Sequence, residues 1–485
     1  MILRICLLGL LIPFYAFTQK PLQSVTMKMV HDAQSSQARW SICAVDLNTG
    51  DTLSAYNSDV PLIGASINKL VSSAVALSEL GVDHKATTEI ILEGKMLANG
   101  TFDGDIRILG HGDVSLGSKF FNEQGEELKF LEDWCSAISQ KGIKNITGNI
   151  IADGISFGAY DCPLGWVKED MANYYGSGAY GLNFYDNILK LKFSAAGAGT
   201  TIKYVGSYPS DGHNSFRIGA KSANSSGENL NFYGTAFSYQ RSVSGTMPAN
   251  KTVEVRASMP DPERLLADIF LKQLQASGIR VNGSAVSARF SEEYRKSRSD
   301  TQLVYTQIGQ SLENIIFYTN HHSVNMFAEG NLLQLGAEKY GKGTYENSLR
   351  VIDEVFQQWQ IGPCRVVDGS GLSRENRMSA SQYVHLLTLQ TNQEYYASYY
   401  RSLPIAGVSG TLKPVCRGQA AQGKMHAKSG SMRGIRAYAG YVESADGHQI
   451  AFAIIANGFN ISTKSMITKM EPFFNSLATY RAQPK

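Results

Sequence analysis

No block of like charge interrupts this sequence. Its 45 Lys and Arg stand against 42 Asp and Glu, a formal net charge of +3. No stripe of Lys and Arg with interleaved aromatics occurs, which leaves a nucleic-acid partner without an electrostatic footprint. Cysteine is scarce, six in 485 residues. Cys43, Cys135, Cys162, Cys364 and Cys416 match no zinc-ligand or redox spacing, so structural thiols with at most a disulfide or two are expected. Beyond the N-terminus no apolar run is long enough to cross a bilayer, and no stable membrane span is expected in the mature chain.

The N-terminal MILRICLLGLLIPFYAFTQKP does hold an apolar run, but a short one. It lies behind Arg4 and ahead of the small-residue pattern Ala16-Phe17-Thr18. Residues 1–18 read as a signal peptide cleaved near Thr18, with an uncleaved anchor as the alternative. The mature protein is then exported, to the periplasm or otherwise beyond the membrane. At 43% hydrophobic and 18% charged the chain suits a soluble globular protein, and its length exceeds what one core usually serves. Two or more domains are expected.

Near the start, WSICAVDLNTGDTLSAYNSD reads as two strands around an Asn-Thr-Gly turn, and RAYAGYVESADGHQIAFAIIANGF repeats the pattern near the end, followed by a helix over about 462–480. Strands from both ends of a chain often share one sheet. Residues 19–85 and 290–485 are therefore expected to form one discontinuous domain, with 86–289 inserted. The insertion is rich in Gly, Tyr, Asn and Ser, with short alternating runs such as IRIL and ILKLKF; it closes on the helix PDPERLLADIFLKQLQASGI. The later third is helical, SLENIIFYTNHH, VNMFAEGNLLQLGAEKYG, YENSLRVIDEVFQQWQI and SASQYVHLLTLQ all carrying apolar residues at three and four spacing.

Three short motifs stand out. In GASINKLVSSAVALSELG, Ser66 opens an apolar helix ended by Gly81, and Lys69 falls on the same face three residues on. A serine there gains from the unpaired N–H groups of a helix start and could be activated by a desolvated lysine. A cap followed by a solvated lysine has the same local pattern. Ser323 and Asn325, in HHSVNMFAEG, read as a proton relay and a peptide-binding amide, or as a helix cap. Lys428, Ser429 and Gly430, in KMHAKSGSMRGIRAYAG, read as a carboxylate site on a strand that allows close backbone approach, or as a turn before an edge strand. Together, and in this order on helix start, inter-helix loop and strand, they form the signature of penicillin-binding proteins and serine β-lactamases.

On these motifs the chain resembles the class C low-molecular-mass penicillin-binding proteins, the D-alanyl-D-alanine carboxypeptidase/endopeptidase family S13. The long gap from Ser66 to Ser323 and the segments DGDIRILGHGDVSLG, GNIIADGISF, GAYGLNFYDNILKL, VVDGSGLSREN and PIAGVSGTL extend the likeness over nearly all of the mature chain. The resemblance implies an α+β fold: a transpeptidase domain with an antiparallel sheet flanked by helices, carrying two nested β-rich insertions. It implies that Ser66 attacks the carbonyl between the two terminal D-alanines of peptidoglycan stem peptides and that Lys69 takes its proton. Ser323 would pass a proton to the leaving D-alanine, and Asn325 would hold the donor peptide. Lys428 and Ser429 would bind the terminal carboxylate, and the N–H groups of Ser66 and of Ser431, next to Gly430, would form the oxyanion hole. β-Lactams would be covalent inhibitors. No cofactor or metal is implied, and His321, His322 and His426 read as structural. Ser429 replaces the commoner threonine of the third motif and keeps its hydroxyl; Val324, apolar between Ser323 and Asn325, can point away. A β-lactamase, or a non-catalytic peptidoglycan-binding module of the same fold, is the alternative.

Overall fold

The computed structural model describes residues 21–35, 37–158, 162–296 and 300–482. The expected signal peptide lies outside them. Strands from both ends of the chain share a five-stranded antiparallel sheet in the order Met425–Met432, Ile435–Glu443, Gln449–Asn457, Arg39–Asp46, Thr52–Tyr56. Gln449–Asn457, QIAFAIIAN, is apolar almost throughout because both of its faces are covered. Ile450, Phe452 and Ile454 pack on one side with Phe473 and Phe474 of the helix Thr463–Ala478. Ala451, Ala453 and Ile455 pack on the other with Leu70 and Val71 of the helix Lys69–Leu80 and Leu386 of Ala380–Gln390. Side chains alternate across a strand, so two helical layers demand an unbroken apolar run.

The helices expected in the later third form at Leu312–His321, Asn325–Tyr340, Tyr345–Gln358 and Ala380–Gln390. Ser311, Thr344 and Ser379 cap three of them by accepting backbone N–H bonds. A further helix, Pro21–Val30, has no counterpart in the sequence reading; Leu22, Met29 and Val30 bury it against the sheet. Its ten residues are too few for periodicity to stand out, and packing makes it.

The region 86–289 is rich in strands and also holds the helices Phe130–Gln140 and Pro262–Ala276. A seven-stranded sheet holds Thr87–Met96 and Thr101–Gly110 at its centre, with Ile150–Asp153 running parallel to the latter. Thr301–Ile308 completes it by pairing with Thr87–Met96, so this sheet draws on a strand beyond residue 289. Three- and four-stranded sheets follow within 188–258. All share a core around Trp134, Phe184, Phe193 and Phe270, the last on the helix Pro262–Ala276. Beneath it Arg107 is buried with Glu93 and Asp153, at 2.7 Å from a carboxylate oxygen of each. Cys43, Cys135, Cys364 and Cys416 are free thiols. Among the described residues no helix is long and apolar enough to cross a membrane.

Candidate active site

Ser66 lies on a short 3₁₀ turn, Ala65–Asn68, that runs into the helix Lys69–Leu80. The turn starts with Ala65 at φ +49°, a left-handed conformation uncommon for a residue with a side chain. Neither turn nor helix has a side-chain cap, so Ser66 is not there as one. Lys69 is fully buried. Its Nζ donates to Ser66 Oγ at 3.1 Å, to Asn325 Oδ1 at 2.6 Å and to the Ser370 carbonyl at 2.7 Å. Burial lowers its pKa to about 7, against the opposing pull of Glu329 and Asp368. Near neutral pH the amine can therefore shed its proton and present a lone pair to the Ser66 hydroxyl.

Ser323 occupies the sharp junction between the helices Leu312–His321 and Asn325–Tyr340, at φ +59°. This turn points its hydroxyl at Lys428, whose Nζ donates to Ser323 Oγ at 2.9 Å and to the Ser429 carbonyl at 2.7 Å. Lys428 is also fully buried, and burial together with Lys69 and Arg436 drives its pKa well down. Ser429 Oγ meets Thr411 Oγ1 at 2.9 Å. Asn325 stands beside Lys69: Oδ1 takes the Lys69 bond while Nδ2 donates to the Tyr175 carbonyl at 2.6 Å, a contact supplied by the inserted region. Val324 packs into the core instead.

Gly430 explains how an edge strand comes so close to Ser66. A Cβ there would lie 2.1 Å from the Gly64 carbonyl oxygen and 3.1 Å from the Ser66 nitrogen, so only glycine lets the backbones touch. Ser431 follows, exposed, on the strand's open edge. A cavity of about 110 Å³ opens beside Ser323 and Asn325, walled in part by Tyr175, Asp186 and Arg256. All eight residues singled out in the sequence thus converge.

Glu329 was not foreseen. It is fully buried, and burial and Asp368 push its pKa up to about 7. A lone carboxylate in the apolar run MFAEGNLL, one helical turn after Asn325, was the available signal. Asp368, to which the sequence assigned no chemistry, accepts the N–H groups of Gly371 and Ser373, Asn376 Nδ2 and Trp166 Nε1, at 2.6–2.9 Å. His321 stacks on Phe317, His322 on Tyr318 and His426 on Tyr400; His322 also lines the cavity beside Ser323 and Asn325. Among the described residues no group of three or more His, Cys, Asp or Glu side chains is placed to hold a metal ion.

A sequence profile of the D-Ala-D-Ala carboxypeptidase 3 (S13) family matches residues 22–480. The chain belongs to that family. It is a serine hydrolase of the D-Ala-D-Ala carboxypeptidase class. Among similar proteins, the D-alanyl-D-alanine carboxypeptidase of Actinomadura sp. strain R39 is 26% identical over 86% of this chain and 77% of its own length. The D-alanyl-D-alanine carboxypeptidase DacB of Haemophilus influenzae is 23% identical over 88% and 87%. The crystal structure of penicillin binding protein 4 from Haemophilus influenzae superposes with a TM-score of 0.80 at 21% identity, covering 95% of this chain and 100% of that one. The same protein has been solved with a β-lactam, TM-score 0.75 at 19% identity over 95% and 99%. The S13 fold, an antiparallel sheet flanked by helices, is therefore the fold of this chain.

Proposed function

We propose that this S13 enzyme cleaves the terminal D-Ala-D-Ala bond of peptidoglycan stem peptides through an acyl-enzyme on Ser66, and opens D-Ala cross-links by the same chemistry. The observation that supports the reading is the Lys69 amine, buried, near neutral in pKa and 3.1 Å from the Ser66 hydroxyl. As free base it takes the hydroxyl proton, and Ser66 Oγ adds to the scissile carbonyl. The N–H groups of Ser66 and Ser431 hold the oxyanion. Lys428 and Ser429 hold the substrate carboxylate; an arriving anion favours the ammonium against burial and the neighbouring cations. Asn325 holds the donor peptide. Ser323, 2.9 Å from Lys428, relays the proton that Lys69 took from Ser66 to the departing D-alanine amine as the tetrahedral adduct collapses, so that Lys69 is again a free base and Ser323 keeps its hydroxyl. Water then adds to the ester and frees Ser66.

β-Lactams present a cyclic amide and a carboxylate to the same groups and acylate Ser66. Residues 19–85 and 290–485 form the catalytic domain, except that the strand Thr301–Ile308 completes the sheet of the insertion, 86–289. A signal peptide over 1–18, removed by cleavage, exports the enzyme to the periplasm or otherwise beyond the membrane. Digestion of purified cell-wall muropeptides, with products weighed by mass spectrometry, tests the reading. Loss of the terminal D-alanine from pentapeptide stems and opening of cross-linked dimers is expected; intact stems and intact dimers contradict it. A penicillin adduct that lasts many minutes separates this enzyme from a β-lactamase, which must release it.

A further inference from the structure

The segment 368–370 lies between two helices and uses its two sides differently. Its carbonyls face the helix of Lys69: that of Asp368 accepts Asn68 Nδ2 at 2.8 Å, that of Gly369 accepts Ser72 Oγ at 2.9 Å, and that of Ser370 accepts Lys69 Nζ at 2.7 Å. Its N–H groups face the helix Asn325–Tyr340. Gly369 N–H donates to Glu329 Oε2 at 3.0 Å and Ser370 N–H to Glu329 Oε1 at 2.7 Å, and the Tyr345 hydroxyl adds a third bond to Oε2 at 3.0 Å. Ser370 is thus a one-residue bridge, with carboxylate at its N–H and amine at its carbonyl. Glu329 also follows Asn325 by four residues, so one helix face delivers both the amide that touches Lys69 and the carboxylate that holds the bridge.

We propose that Glu329 is a positioning residue for Lys69: through Ser370 it aims the amine at Ser66, and its charge sets the pH at which that amine becomes a base. A purely structural clamp needs acceptors but not a charge, and burying a carboxylate among neutral donors is costly. The charge finds its counterpart one residue away, in Lys69. The other groups facing the pair are Asp368, which like Glu329 favours the protonated amine, and Lys428, whose charge is set against that of Lys69. Tyr345 and Asp368 face Glu329, and Arg436 faces Lys428.

The inference rests on Lys69 acting as the base. Its test is the rate of acylation by a fluorescent penicillin as a function of pH, in wild type, Glu329→Gln and Glu329→Asp. Glu329 has its own pKa raised to about 7, so its anion opposes deprotonation of Lys69 mainly in the upper part of the acid limb; removing it makes the ammonium easier to deprotonate there, and the acid limb of Glu329→Gln moves to lower pH, by up to about one unit for a charge at this range. Its plateau falls ~10-fold or more, because a misplaced base costs up to ~10²-fold. Glu329→Asp keeps the charge and shortens its reach: the acid limb stays and the plateau falls. An acid limb of Glu329→Gln that coincides with wild type overturns the proposal. Should Glu329→Gln fail to fold, a wild-type plateau in Glu329→Asp overturns it equally. Lys69→Ala run alongside separates the two readings. Near-normal acylation there removes Lys69 as base, whereas its loss beside a wild-type profile in Glu329→Gln removes only the role given to Glu329.

Discussion

The amine of Lys69 sits 3.1 Å from the Ser66 hydroxyl while exposing no surface of its own. Burial lowers its pKa to about 7, and the base is the unprotonated form. The sign follows: below that value the amine is charged and cannot accept the Ser66 proton, so acylation slows as pH falls through about 7. Stopped-flow acylation from about pH 5 to 9 should rise and then level; a flat profile contradicts the assignment. Lys69→Ala should lower the rate by ~10²–10⁴-fold.

Gly430 keeps the strand Met425–Met432 against the Ser66 turn, with the Gly64 carbonyl only 2.1 Å from where a Cβ would be. Gly430→Ala must push the strand away and open the gap between the Ser66 and Ser431 nitrogens. Loss of an oxyanion donor is worth about 10²–10³-fold, so penicillin labelling should slow by that order in a protein with unchanged circular dichroism. Labelling at the wild-type rate would place the oxyanion hole elsewhere.

Lys428 is held by Ser323 Oγ and the Ser429 carbonyl within a buried site. If it binds the substrate's terminal carboxylate, Lys428→Ala should lose roughly 1.5–3 kcal/mol of charge-assisted bonding, about 10–10²-fold in kcat/KM. It should also stop discriminating between a D-Ala-D-Ala peptide and its C-terminal amide. Steady-state kinetics on the two peptides checks this; a variant that still prefers the free acid as strongly as wild type rules the role out.

Much of this was legible in the sequence because it is local. Turn residues, caps and apolar periodicity carry the helices from Leu312 to Gln390 and the terminal hairpins, and the three motifs each lie within four residues. What was not legible depends on contacts made across the chain. Glu329 acquires its partners about 40 residues later, in Gly369 and Ser370. Thr301–Ile308 was not singled out, because what places it is its pairing with Thr87–Met96, more than 200 residues earlier. Ser66 was ambiguous between cap and nucleophile because both favour a helix start; the absence of any capping bond and the burial of Lys69 are tertiary facts. The link from Asn325 Nδ2 to Tyr175 likewise joins residues 150 apart.

The buried group of Arg107, Glu93 and Asp153 predicts a stability effect far from the site. Arg107→Met would strand two buried carboxylates, and breaking a buried pair costs about 3–5 kcal/mol. Denaturant unfolding should show an early transition of the inserted region. An unfolding curve matching wild type would mean the carboxylates find water or protons without strain.

The central claim is that Ser66 is the nucleophile, and intact-protein mass spectrometry after incubation with penicillin tests it most directly. Wild type should gain the mass of one penicillin, mapped by proteolysis to the peptide carrying Ser66. Ser66→Ala should gain none while melting at the wild-type temperature. An adduct on folded Ser66→Ala, or one mapped to another residue of the wild type, contradicts the account.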